Sequence, residues 1–92
     1  MARTKGIDLD TLIDRVADYF GITAEELKST SKQRTVSRAR GLLSYLAVSK
    51  LMISCSDVSR RLNVSPSSVS KSVIRGRSDS LSEELENSLL DG

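Results

Sequence analysis

Apolar residues recur at intervals of three and four along most of this chain, and nowhere do they alternate with polar ones over a strand's length. Leu9, Leu12, Ile13, Val16, Ala17 and Phe20 mark one stripe, which predicts an amphipathic helix over 9–20. Asp8 or Asp10 can cap its start and Gly21 can end it. Thr23 followed by Glu26 has the spacing of a capping box and predicts a short second helix to about Ser29, so the first two helices occupy 9–29. The stretch STSKQRT, 29–35, has no apolar residue, and 30–35 reads as a basic loop. Val36, Ala39, Leu43, Leu46, Ala47 and Leu51 then predict a longer helix over 36–52, and Leu42 widens its apolar face enough to make it central. Ser54 or Ser56 can cap a short helix over 57–62. Pro66 suits the first position of the next helix, where its missing N–H is not needed, with Ser65 as N-cap and Gly76 as its end. Ser80 and Glu83 repeat the capping-box spacing, and Leu81, Leu85 and Leu89 line one side of a last helix over 80–91. The expectation is an all-α, small multi-helix protein forming one domain over 1–92, with residues 1–6 flexible and 91–92 frayed.

The segment CSDVSRRLNVSPSSVSKSVIRG, 55–76, reads as two short helices and a tight turn. Val58 and Leu62 are the inward positions of the first, Val69 and Val73 those of the second, and Val64 plugs the turn. Ser59 is small where the second helix must approach. Asn63 falls where a positive φ is needed, and asparagine tolerates one. Such spacing packs two helices across each other steeply. The arrangement resembles the helix-turn-helix of bacterial DNA-binding proteins, and NVSPSSVSKSV resembles that segment in lactose-repressor-type regulators. The resemblance implies that the second helix enters the major groove. Its outward face carries Ser67, Ser68, Ser70, Lys71 and Arg75 and no acid. Short hydroxyls let a helix lie close to base edges and can donate or accept there, while free N–H groups at its start, capped by Ser65, can face a phosphate.

Charge strengthens this reading. The net charge is only +2, yet residues 28–77 hold eleven bases against Asp57 alone, a local +10 between two acidic ends. Such a centre suits a polyanion. Arg38, Arg40, Lys50, Arg60, Arg61, Arg75 and Arg77 are candidates for phosphate contact. Six to eight such contacts would give a log–log salt slope of about −5 to −7. Cys55 is the lone cysteine and there is no histidine, so an internal disulfide, common zinc sites and most acid–base triads are excluded. No apolar run reaches membrane-spanning length and the start lacks the pattern of a signal peptide, which makes a cytoplasmic setting the expectation.

A second resemblance covers residues 7 to 75. IDLDTLIDRVADYFGITAEELKS resembles the first two helices of the C-terminal DNA-binding domain of the bacterial replication initiator DnaA, a fold of the Trp-repressor-like superfamily. SKQRTVSRARGLLSYLA resembles that domain's basic loop and long helix. The resemblance implies that Arg34, with Lys32 beside it, reaches into a minor groove, and that Arg38 and Arg40 occupy the family's next two arginine positions. Departures are plain. The family's signature is close to G-R-D-H-T-T-V, and this chain has NVSPSSV there. The arginine, aspartate and histidine are missing, Ser67 and Ser68 stand at the two threonine positions, and Ala39 replaces the loop's proline. The initiator's own target box is therefore not carried over. The nucleotide-binding motif G-x-x-x-x-G-K-[ST] is also missing, so the chain is expected to be a DNA-binding module of a larger protein, initiator-like or of the REP-associated transposase-like kind.

The expected partner is thus double-stranded DNA, with no cofactor, no metal, no membrane and no small-molecule substrate, and with the oligomeric state open. The DNA-binding set is Lys32, Arg34, Arg38, Arg40, Arg60, Ser65, Ser67, Ser68, Ser70, Lys71 and Arg75. Catalysis is not expected, because Lys71 beside Ser70 and Lys50 beside Ser49 are mere sequence neighbours, which diverge on a helix. Few aromatic residues are on hand to stack loose bases, which disfavours single-stranded RNA. The alternatives are a transcriptional regulator, or a protein-interaction module that uses the stripe Leu81, Leu85 and Leu89. The competing reading of that stripe is core, which a small domain needs.

Overall fold

A computed structural model describes residues 8–28 and 33–91. The described residues form six α-helices, a closing π-helical turn and no strand: α1 (Leu9–Phe20), α2 (Ala24–Lys28), α3 (Arg34–Ser49), α4 (Cys55–Leu62), α5 (Pro66–Ser78) and α6 (Ser82–Leu85), followed by the turn Glu86–Asp91. The all-α helix-turn-helix architecture is as expected.

Local chemistry sets most helix starts. Asp8 caps α1, its Oδ1 accepting from the Thr11 N–H at 2.8 Å, and Gly21 closes the helix at φ 70° in the left-handed region. Thr23 and Glu26 form a reciprocal capping box at 2.9 and 3.0 Å. Ser54 caps α4 through the Asp57 N–H, and Ser65 caps α5 through the Ser68 N–H. Between these two helices Asn63 takes φ 61°, ψ 41°, the conformation that turns the chain.

Burial follows the periodicity. Leu12, Ile13 and Val16 from α1, Leu27 from α2, Val58 and Leu62 from α4 and Val69 from α5 meet in one core. α3 runs through its middle, burying Val36, Ala39, Leu42, Leu43, Leu46 and Ala47 on nearly every side. Leu85 and Leu89 are buried in the same core and Leu81 packs against it, so the leucine stripe is internal and does not offer a docking face.

Several boundaries differ from the sequence pattern. α3 begins at Arg34 and not at 36, because Gln33 takes the extended N-cap conformation and its carbonyl accepts from Ser37 N–H at 2.9 Å. It ends at Ser49 and not at 52. Met52 at φ 60° swings the chain out, while Leu51 and Ile53 still pack on the core from outside the helix. α4 begins two residues earlier than expected, since Ser54 is the cap in use. The Ser80–Glu83 box does not form: Asp79 holds that corner, its Oδ1 accepting from Leu81 N–H at 2.9 Å, and α6 opens only at Ser82. The expected fraying of 1–6, the end of the second helix at Ser29 and the first part of the basic loop lie outside the described residues.

The largest correction concerns Gly76. It does not end a helix but lies buried inside α5, which continues to Ser78. α5 makes its broadest contact with α3, and the two backbones meet at Gly76 and Gly41. A Cβ on Gly76 would stand 2.2 Å from the Gly41 carbonyl oxygen and 2.8 Å from Tyr45 Cβ. No side chain fits there. On Gly41 the nearest contact of a Cβ would be the Ser72 carbonyl oxygen at an ordinary 3.4 Å. Gly76→Ala is therefore expected to lower unfolding free energy by about 2 kcal/mol or more despite alanine's better helix propensity. Gly41→Ala is expected to stay within about 1 kcal/mol of the parent. Urea midpoints of the two variants measure the contrast, and equal midpoints would refute the crossing described.

Candidate nucleic-acid interface

Val69 and Gly76 fix the inward side of α5. At 100° per residue, the opposite side is formed by Ser67, Lys71, Ile74 and Ser78, flanked by Ser70 and Arg75. All of these are exposed. Ser68 is exposed nearer the edge, and its hydroxyl lies 3.1 Å from that of Ser65. The outer side of α5 thus has four hydroxyls, two cations, no acid and one large apolar residue that the sequence reading passed over, Ile74.

Arg34 is exposed at the first position of α3. Arg34, Arg38, Gly41 and Tyr45 follow the i, i+4, i+7, i+11 spacing of one helix stripe. Gly41 and Tyr45 lie against α5, and Arg38 grips Asp79 just beyond the end of α5. Arg34 therefore continues, one turn further out, the stripe that faces α5. Lys32 lies outside the described residues.

Ion pairs divide the expected phosphate contacts. Arg38 holds Asp79 in a two-pronged pair, Nε and one terminal nitrogen each 2.8 Å from a carboxylate oxygen. Lys50 pairs with Glu86 at 3.4 Å, and Arg61 pairs with Asp10. Arg60 stands at the edge of contact with Asp57, 4.0 Å away, and is largely exposed. Arg40 is partly buried, which draws its guanidinium below the usual arginine range. Arg34, Lys71, Arg75 and Arg77 are exposed and make no ion pair with any described residue. An open hollow of about 370 Å³ beside α4 is lined by Leu9, Ile53, Asp57, Arg60 and Arg61, and its mixed charge suits an anion less well than the outer side of α5.

Each aromatic residue is engaged by neighbours in the fold. Phe20 and Tyr45 are half-buried, and Tyr19 packs edge-on to Phe20 while its hydroxyl donates to Glu84 Oε2 at 2.5 Å. That hydrogen bond raises the Tyr19 pKa. None of the three stands free as a stacking platform.

Two short helices meeting at a left-handed asparagine, the second with a bare, cationic far side, define a helix-turn-helix of the DNA-binding class. The family model described as the bacterial DnaA protein helix-turn-helix matches residues 9–75, and the chain belongs to that family. Within it the helix-turn-helix is a DNA-binding module and not by itself a catalytic one. No curated protein and no solved structure gives a significant match. The family match stops one residue before Gly76 and leaves out α6 and the acidic end of the chain. No helix among the described residues is long and apolar enough to cross a membrane.

Asp79 and Asp8 carry a pH dependence. The hydrogen bond from Arg38 holds the Asp79 carboxyl below the usual range, and the Thr11 N–H does the same for Asp8. A carboxyl whose folded pKa is depressed stabilises fully above its unfolded pKa, about 3.9 for aspartate, and ceases to do so once pH falls through the folded value. Stability is thus expected to fall below about pH 4. Asp79→Asn is expected to cost stability at pH 7 and to flatten that decline, as thermal melts from pH 7 down to pH 2 would register. An unchanged slope in the variant would contradict the assignment.

Proposed function

We propose that this chain is a sequence-specific reader of double-stranded DNA and the DNA-binding module of a larger protein, initiator-like or transposase-like. α5 lies in the major groove with Ser67, Ser70 and Lys71 nearest the base edges, and Ser65 and Ser68 hold the helix start toward a phosphate. At 13 residues α5 is about 20 Å long, and one bare side is what a groove about 12 Å wide admits. Arg34 and Lys32 reach an adjacent minor groove, where width and negative potential favour arginine. The single observation that carries this reading is the acid-free, exposed outer side of α5 in a helix-turn-helix of a DNA-binding family. The burial of Leu85 and Leu89 counts against the reading as a protein-interaction module. The roles assigned to Arg38 and Arg40 are less direct. Arg38 buttresses α5 through Asp79, and Arg40 reaches a phosphate only by its exposed edge.

With Arg38, Lys50 and Arg61 paired internally, about four or five bases remain for phosphate, fewer than a count of charges suggests. The log–log salt slope is then about −4. In titrations against a duplex selected from a random pool, Arg60→Ala is expected to weaken all sequences alike and to reduce the slope by about 1. Lys71→Ala is expected to cost about 1–3 kcal/mol on the selected duplex and little on random DNA. Affinity that is flat between low and moderate salt, or no duplex enriched over the pool, would refute the reading.

A further inference from the structure

Ile74 is the one large apolar side chain on the outer side of α5, and it is 64% exposed. The other exposed large apolar residues lie on other elements: Tyr19 on α1, where it donates to Glu84, and Met52 in the turn between α3 and α4. Ile74 belongs neither to the core nor to the partly buried apolar residues packed against it. It is out of phase with the inward positions Val69, Val73 and Gly76 and seven residues from Ser67, so the two point within about 20° of each other. A β-branched residue in an exposed helix interior is also mildly unfavourable for the helix.

We infer that Ile74 is a thymine-reading residue, its side chain meeting a thymine C5-methyl in the major groove. The inference rests on the DNA-reading proposal above and adds a base preference to it. The hydroxyls of Ser67 and Ser70 accept or donate, so they separate bases weakly. Thymine alone presents an apolar group in the major groove, and an aliphatic side chain is its complement. Lys71, three residues earlier, and Arg75, next in sequence, surround Ile74 with positive charge. That surrounding favours a polyanion over a second copy of the same cationic face, which it would repel.

The test uses the best duplex recovered from a random pool by the full chain. Each thymine is replaced singly by deoxyuridine, which removes only the C5-methyl, and dissociation constants are measured for the parent, Ile74→Ala and Ile74→Val. At one thymine the loss of the methyl is expected to weaken the parent about four-fold, the equivalent of one buried methyl-sized group. Ile74→Ala is expected to bind the thymine duplex about four-fold more weakly and to be indifferent to deoxyuridine there, while Ile74→Val keeps most of the discrimination. If the parent binds a preferred duplex yet no thymine behaves this way, the Ile74 inference is overturned and the DNA-reading proposal stands. If the parent enriches no duplex, both fall. The deoxyuridine series on the parent protein needs no variant to fold.

Discussion

The outer side of α5 is free because its inner side is pressed onto α3 with no side chain between the two backbones at Gly76 and Gly41. That contact sets the depth at which α5 sits, and the helix's own periodicity then decides which residues point away. Val69 and Gly76 turn inward, so Ser67, Lys71 and Ile74 turn outward. Any side chain at position 76 would lift or rotate α5 and change what it presents. α3 is suited to be the anvil, because it is buried on almost every side and cannot yield without disturbing the core.

Electrostatics then trims what the packing presents. The basic centre of the chain is not left whole. The acidic end folds back, and Asp79 and Glu86 pair with Arg38 and Lys50, while Asp10 from the first helix takes Arg61. Arg15 donates to the Leu89 carbonyl oxygen at 2.6 Å, and Tyr19 to Glu84, so hydrogen bonds fasten the same end to α1. Such exposed pairs contribute little stability singly. Their larger effect is on distribution: among the described residues Arg34 and, along α5, Lys71, Arg75 and Arg77 keep positive charge that no ion pair takes up. A helix side cleared of acids, next to cations drawn into pairs on other elements, favours a single orientation on a polyanion.

Much of the fold was legible in the sequence because its determinants are local. The stripe from Leu9 to Phe20, the Thr23–Glu26 box, Pro66 after Ser65 and the positive φ at Asn63 each need only a few neighbouring residues to act. What was not legible depends on partners distant along the chain. A glycine late in a helical pattern reads the same whether it ends the helix or admits another backbone, and only the presence of Gly41 across the contact separates the two. The Ser80–Glu83 spacing was undone by Asp79, which the Arg38 pair had already placed at that corner. Leu51 has the right phase for α3 yet packs from beyond its end, after a turn that the pattern does not encode. Ile74 did leave a signal. It breaks the phase of Val69 and Val73, but the hydroxyls around it drew the reading toward polar contacts.

The central claim is that one duplex meets the outer side of α5 and the first turn of α3 together. The most direct measurement is a backbone amide chemical-shift titration of the protein with a selected duplex at low salt. The expected result is a contiguous set of perturbed amides that includes Arg34 and residues 67–75, with α1 and α6 unchanged. Perturbation confined to α1, α6 or the acidic end, or a set that includes α5 but spares Arg34, would contradict the claim.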